Sequence, residues 1–406
     1  MASKLKWDHD RRSKPQGTLK QTDLKTMKII VVGCGLAGIS VALGLISKDD
    51  TVSVEIVEKR DTFESRGATF GLARNGQIAL QEICPRVLEY LKTIGIYVEA
   101  AGSYMLPWWE VRDSLLEEAR NHSDRITIRL GMTIQEVIED DDQVKVTFQE
   151  SDLVLQGSVL IGADGVRSQI RTDILGLPTA TPSGAITWRG RINAKDIPSL
   201  HHLTQIDIAS RVSFGSKLLL LYFNFDEALP GIIAWSASTK APGVVADVTT
   251  PLDLLEQHLE QSNQNDETEM KKAETAKIVF ANSLPCDLTY SSELSVIDLS
   301  SGWGGKGRVT LVGDAAHAIR PASGLGGALA FEDAVLLSRM LTTSNNVVAA
   351  LRAFEAKRLP RVKSISDDQT MRSESAYKKD VIIQPWSEEY RAWIFEGPDA
   401  TSEPPL

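Results

Sequence analysis

Residues 28–38 read Lys28-Ile29-Ile30-Val31-Val32-Gly33-Cys34-Gly35-Leu36-Ala37-Gly38. A continuous apolar run of this kind suits a central parallel strand buried on both faces. The glycines after it have separate uses. Gly33 permits a tight turn, Gly35 lets a pyrophosphate approach the backbone, and Gly38 lets the next helix pack on the strand. Leu36 and Ala37 open that helix, whose free N–H groups and positive dipole end attract phosphate. Leu, Ala, Ile and Val recur at helical spacing over Leu36–Lys48, and Val52–Val57 reads as a second strand, completing a βαβ unit. Glu58 lies twenty residues beyond Gly38, at the end of that strand, where a carboxylate can accept hydrogen bonds from ribose hydroxyls, and Lys59 follows it.

By length alone, the apolar run Met27–Ile46 could pass for a membrane anchor. Its glycines divide it into strand, turn and helix, so it is expected to be buried in an α/β fold, with no membrane span in the chain. A chain of 406 residues has room for two or three domains. The formal net charge of −10 argues against a nucleic-acid partner, because phosphate binding needs a surplus of Lys and Arg on one face. The three cysteines, Cys34, Cys84 and Cys286, are far apart and form no CxxC pair, and the six histidines lack metal-ligand spacing. Neither a disulfide framework nor a metal site is expected, and a reducing, cytoplasmic compartment suits the pattern.

Residues 1–26 are polar and aperiodic and read as a flexible tail. Asn75–Thr93 reads as a helix broken near Pro85, Trp108–Arg120 as a helix started by Pro107, and Ile126–Arg129 as a strand. Thr133–Glu150 reads as a hairpin turning at Glu139–Asp142, and Val159–Gly162 as a buried strand. Between 179 and 290, Gly, Pro and Trp interrupt short strand-like runs such as Lys217–Phe223 and Ile232–Trp235, as in a mostly antiparallel sheet, and 260–272 reads as a surface loop or exposed helix. Val309–Val312 is again a buried strand, and Glu332–Leu341 and Val347–Arg358 read as helices. The expected division is a discontinuous Rossmann-type domain (27–178 and 291–345), an inserted antiparallel substrate domain (179–290) and a C-terminal helical segment (346–406). Within that last segment, the aromatic stretch Trp386–Asp399 is expected to dock back on the first domain.

Two more turns carry chemistry. Gly313-Asp314-Ala315-Ala316-His317 follows the strand Val309–Val312, and Pro321-Ala322-Ser323-Gly324-Leu325-Gly326-Gly327 then leads into a long helix. A carboxylate at a strand's C-terminal end can bind a polyol, and a glycine-rich turn before a helix offers N–H groups and a dipole to negative charge on a ring. Gly162-Ala163-Asp164-Gly165-Val166-Arg167-Ser168, with Arg171 beyond, also sits at a strand end. Taken alone, the Gly162–Ser168 turn reads equally as an ordinary capped turn.

In this order and at these spacings, GxGxxG, GADGxxSxxR and GDAAHxxxPxxGxG followed by Glu332-Asp333-Ala334 resemble the group A flavoprotein monooxygenases, over about residues 27–365. That group includes the para-hydroxybenzoate and salicylate hydroxylases and fungal epoxidases and hydroxylases of secondary metabolism. The resemblance implies FAD as cofactor, with Glu58 at the adenosine ribose and Gly71, in Gly67-Ala68-Thr69-Phe70-Gly71, beside the flavin. It puts Arg112 near the pyrophosphate, and Asp164 and Gly165 at the pyrophosphate and nicotinamide side. It puts Asp314 at the ribityl chain and Gly326 and Gly327 at the ring, and counts Gly313, Pro321 and Gly324 among the cofactor-binding residues. Arg189, in Trp188-Arg189-Gly190, matches a proposed active-site arginine of the fungal members, and a structural pairing suits it equally. His317 is assigned no catalytic role. Ala328 departs from the asparagine many members carry there.

The activity implied is an NAD(P)H- and O2-consuming hydroxylation or epoxidation of a small aromatic or olefinic substrate through a flavin C4a-hydroperoxide. No second GxGxxG is visible, which fits a family without a separate NAD(P)H domain and leaves NADH and NADPH both open. An oxidase or reductase on the same scaffold, or a flavin-binding protein without catalysis, are the alternatives, because fold does not fix reaction. The halogenase signature WxWxIP is absent. The chain is expected to act as a monomer or homodimer. Trp188, Phe214, Tyr222, Phe223 and Trp235 are candidate walls of the substrate pocket, although large aromatics more often fill cores.

Overall fold

The computed structural model describes residues 27–63, 69–206, 208–215, 218–240, 250–261, 266–283, 292–300, 302–320, 324–375, 386–401 and 403–405. The expected tail at 1–26, together with Gly67, Ala68, Lys217, Cys286 and Pro321, lies outside these residues.

The first half runs β1 (Met27–Val32), α1 (Leu36–Lys48), β2 (Val52–Val57), β3 (Thr69–Leu72), α2 (Arg74–Ile83), α3 (Pro85–Ile94) and β4 (Ile96–Val98). It continues through β5 (Ser103–Pro107), α4 (Trp108–Asn121), β6 (Ile126–Arg129), β7 (Ile134–Glu139), β8 (Val144–Phe148), β9 (Ser151–Gly157) and β10 (Val159–Gly162). The second half opens with β11 (Thr181–Asn193), β12 (Ala209–Phe214), β13 (Leu218–Asn224), β14 (Ile232–Lys240), α5 (Pro251–Gln261), α6 (Glu267–Ala281) and β15 (Ser292–Val296). It closes with β16 (Val309–Leu311), a single turn α7 (Asp314–His317), α8 (Gly326–Thr343), α9 (Val347–Ser375) and α10 (Glu388–Phe395).

Five parallel strands lie in the order β16-β10-β1-β2-β6. Successive side chains of a strand point to opposite faces, and here both faces are buried. Ile29 and Val31 pack into one core with α1 and α8. Ile30 and Val32 pack into another with β8, α9 and α10. That two-sided burial is why β1 reads as an unbroken apolar run. Val32 is level with Val57 and Gly162, and Gly162 with Leu311, so β1, β2, β10 and β16 all end at one edge of the sheet.

A second, antiparallel sheet has the order β12-β13-β14-β11-β15. One face, with Trp188, Leu220, Tyr222 and Trp235, is sealed by α5 and α6. Two small antiparallel sheets, β3-β5-β4 and β7-β8-β9, flank the parallel one. The mixed α/β architecture expected from the sequence is the one observed.

Element limits differ in several places. The expected hairpin is β7 and β8, and β9 adds a third strand to it. The polar stretch 260–272 spans the end of α5 and the start of α6, where the Asp266 carboxylate caps the helix by accepting from the N–H groups of Thr268 and Glu269. The helix expected to stop at Arg358 runs on as α9 to Ser375, through Pro360. Proline removes one helical hydrogen bond, but Arg358 and Arg361 on either side are anchored to buried carboxylates, which hold the helix together. Among the described residues no helix is long and apolar enough to cross a membrane, and Met27–Ile46 is divided between β1 and α1.

Candidate active site

The shared strand edge brings three turns together. At the end of β1, the Gly33 N–H donates to the Val57 carbonyl at 2.7 Å. Gly33 has φ +105°, and a Cβ there would lie 2.3 Å from the Ala163 carbonyl oxygen, so neither its conformation nor its space admits a side chain. A Cβ on Gly38 would lie 2.0 Å from the Gly33 carbonyl oxygen, whereas one on Gly35 would meet nothing within 4 Å. Room for a ligand is therefore at Gly35. Leu36 and Ala37 form the half-buried first turn of α1, which has neither a side-chain cap nor an acid in that turn. Its amides are left for an outside anion.

The Glu58 carboxylate accepts from the Cys34 N–H at 3.0 Å and the Arg60 N–H at 3.1 Å, which pins it beside the turn, while Lys59 is exposed. Burial, with Glu58 adding to it, pushes the Cys34 thiol up to about 12, so it stays a thiol, with Arg120 and Arg112 opposing. Arg112 is buried rather than solvated, as a helix-surface arginine would be. Its guanidinium pairs with Asp113 and lies 5.5 Å from the Phe63 ring and 5.2 Å from the Trp108 ring.

At the end of β10, Asp164 is occupied locally. One carboxylate oxygen accepts from the Ser168 hydroxyl at 2.5 Å, the other from the N–H groups of Gln169 and Ile170. Burial raises its pKa against these hydrogen bonds. These bonds are those of a capped turn, and at Gly165 beside it a Cβ would meet nothing within 4 Å. Arg171, buried, donates to the carbonyls of Pro178 and Ala316 and so ties this turn to the next.

At the end of β16, Gly313 adopts φ 58° and ψ −143°, and a Cβ on it would lie 2.7 Å from that of Ala37. The first and third turns therefore touch. Asp314 is reached by solvent, but the protein around it desolvates its carboxyl and raises its pKa, with His317 opposing. α8 starts without a side-chain cap or an acid in its first turn. Gly71, on β3, and Gly324 and Gly326, before and at the start of α8, all face open space, while a Cβ on Gly327 would lie 2.1 Å from the Phe70 ring. Of the two glycines expected at the ring, Gly326 would admit a Cβ and Gly327 would not, because the Phe70 ring fills that space. Pro321 lies outside the described residues. Two uncapped helix N-termini, the Glu58 carboxylate beside the first, and glycine backbone open to a ligand at Gly35, Gly71, Gly324 and Gly326 suit a dinucleotide with a diphosphate at one end and a charge-bearing ring at the other.

Behind the third turn is a buried network that sequence reasoning missed. Asp333 accepts from the Gly313 N–H at 2.8 Å, His317 Nε2 at 2.6 Å and Arg358 Nε at 2.7 Å. Glu332 accepts from Asn75, Arg358 and Arg361. Burial by itself would raise both carboxyls, but the arginines, and His317 for Asp333, outweigh it and hold both below the usual range. An acidic pair inside the apolar run of α8 was the available signal.

The second sheet offers its open face. Strand alternation puts Thr187, Arg189 and Arg191 of β11 on one face, beside Ala234, Ser236 and Ser238 of β14 and Leu219, Leu221 and Phe223 of β13. The Arg191 guanidinium lies 4.4 Å over the Trp109 ring of α4, so this face is turned towards α4. Four of the five candidate wall aromatics, Trp188, Phe214, Tyr222 and Trp235, lie on the sealed face as core, and Phe223 lies on the open one. A separate hollow of about 200 Å³, lined by Thr181, Asp298, Lys363 and Asp367 among others, includes no residue of the three turns.

A protein-family profile described as FAD binding domain matches residues 73–369, beginning beyond the Gly33–Gly38 turn. The chain is 26% identical over 394 residues to the FAD-dependent urate hydroxylase of Klebsiella pneumoniae subsp. pneumoniae, covering 90% of this chain and 94% of that protein. It is 25% identical over 398 residues to the chloroplastic zeaxanthin epoxidase of Nicotiana plumbaginifolia, covering 86% of this chain and 55% of that protein. In structure it is similar to Klebsiella pneumoniae HpxO complexed with FAD and uric acid, with a TM-score of 0.70 and 22% identity, covering 87% of this chain and 90% of that one. That likeness shows a shared fold.

Proposed function

The chain belongs to the FAD binding domain family, and on that premise we propose that it is an FAD-dependent monooxygenase that hydroxylates or epoxidises a small, electron-rich organic substrate, with NAD(P)H as co-substrate. The observation that carries this reading is the meeting of three ligand-ready turns at one strand edge, across from a half-open sheet face of mixed polarity. The similar hydroxylase and epoxidase support it. Bound FAD would supply the redox chemistry, taking electrons from NAD(P)H and activating O2 so that one oxygen atom reaches the substrate.

The protein's own part is positioning. The α1 N-terminus holds the pyrophosphate and Glu58 the adenosine ribose. Asp314 holds the ribityl chain, and the α8 N-terminus stabilises negative charge on the ring. Leu219, Leu221 and Phe223 give an apolar rest for the substrate body and keep water from the reacting atoms. Ser236 and Arg189, opposite each other across β14 and β11, offer hydrogen bonds to a substrate oxygen. The full chain should purify yellow and consume O2 and NADH or NADPH faster when its substrate is present. A colourless protein that takes up no FAD would end this reading. A yellow one that ignores both nicotinamides would move it to an oxidase.

A further inference from the structure

A continuous path of hydrogen bonds runs from α10 to the flavin-facing turn. Arg361 donates to the carbonyls of Trp393 at 3.0 Å and Ile394 at 2.9 Å, and its guanidinium lies 4.8 Å over the Trp393 ring. The same guanidinium grips Glu332 at 2.9 and 2.8 Å. Glu332 accepts from Arg358 at 2.6 Å, Arg358 donates in turn to Asp333 at 2.7 Å, and Asp333 accepts from the Gly313 N–H at 2.8 Å. A side branch joins Glu332 to Asn75, at the start of α2, at 2.7 Å. Glu332, Asp333 and Arg358 are fully buried and Arg361 nearly so.

Two carboxylates and two guanidiniums balance in charge, but hydrophobic side chains could fill the same space without the desolvation cost. What charged, directional bonds add is a single geometry. We propose that this path is a positioning device: docking of α10 fixes the Gly313–Asp314 turn, and so sets the affinity and the electronic surroundings of the flavin bound there, with Asp333 as the positioning residue at its end. Asp333 touches no ligand. It acts by holding a backbone N–H and the His317 ring in place.

The proposal rests on FAD binding at this turn, and the experiment separates the two. FAD affinity, visible spectrum and midpoint potential of the bound flavin are measured on the full-length protein, beside melting of the FAD-free form. The variants are Trp393→Leu, which lies far along the path from the site, Asp333→Asn, which can no longer serve Arg358 and the Gly313 N–H together, and the double variant. Trp393→Leu is expected to weaken FAD by about tenfold and to shift the flavin spectrum and potential, with Asp333→Asn larger. The double variant should be little worse than Asp333→Asn alone, as for coupled positions. Should Asp333→Asn fail to accumulate, Arg361→Lys, which keeps the charge and loses the fork to the α10 carbonyls, takes its place in the same cycle. Trp393→Leu with a lower melting temperature but an unchanged flavin spectrum and potential would reduce the path to plain packing and overturn the proposal. Effects that simply multiply would overturn it too. If the unaltered protein takes up no FAD, the site reading itself falls.

Discussion

At the residue scale, the first turn separates two glycines that look alike in the sequence. Gly38 faces the Gly33 carbonyl and Gly35 faces open space. Gly38→Val should therefore destabilise the fold by about 3 kcal/mol or more, as overpacked core positions do. Gly35→Val should leave the FAD-free protein melting within a few degrees of the parent while FAD affinity drops by about a hundredfold or more. Paired thermal melts and flavin titrations check both, and equal melting of the two variants would contradict the geometry. Arg189→Met should raise KM for the substrate by about tenfold and leave FAD affinity alone, the size expected when one charged hydrogen bond is lost; steady-state kinetics beside an FAD titration reads it. The turn itself was legible because its demands are local: an apolar run, a tight φ and three spacings. Asp164 was only half legible, because its neighbours Ser168 and Ile170 compete with any ligand for the same carboxylate.

At the scale of elements, α9 carries a pH dependence into the parallel sheet. Glu355 bonds the Thr310 hydroxyl of β16 at 2.6 Å and Arg352 at 2.8 Å. Burial raises its carboxyl to about 7, against those two groups. The folded protein therefore holds a proton there that the unfolded chain releases near 4.5. Its contribution to stability is whole below the lower value and is lost as pH rises through the higher one, at up to about 1.4 kcal/mol per pH unit between them. Glu355→Gln should flatten that slope and stabilise the protein above neutrality by about 2 kcal/mol. Chemical denaturation from pH 5 to 8 measures it, and parallel curves for variant and parent would refute it. Glu332 and Asp333, held below their ordinary values, work the other way: their contribution is present at neutral pH and is lost as pH falls through their folded values, so acid should release α10. Most elements were legible from periodicity. The network was not, because it joins Asn75 to Glu332 across 257 positions and no local pattern reports such a pairing.

At the scale of the whole molecule, the two sheets divide the work, one presenting strand ends and the other a face. The alternation in β13 separates Leu219, Leu221 and Phe223 from Leu220 and Tyr222, but only the packed structure says which set is sealed. Leu221→Arg should thus abolish substrate stimulation of O2 uptake while the protein stays yellow, and oxygen electrode traces on the purified variant would show it. The order of strands has a further cost, paid during synthesis. β10 stands in the sheet between β1 and β16, and α1 packs on α8, yet β16 and α8 leave the ribosome only after the whole second sheet has been made. At about 5–20 residues per second, the newborn chain waits roughly tens of seconds with a bare strand edge and an uncovered apolar helix. During that wait it is a client for chaperones, and its yield in cells should follow their supply more closely than the stability of the finished protein.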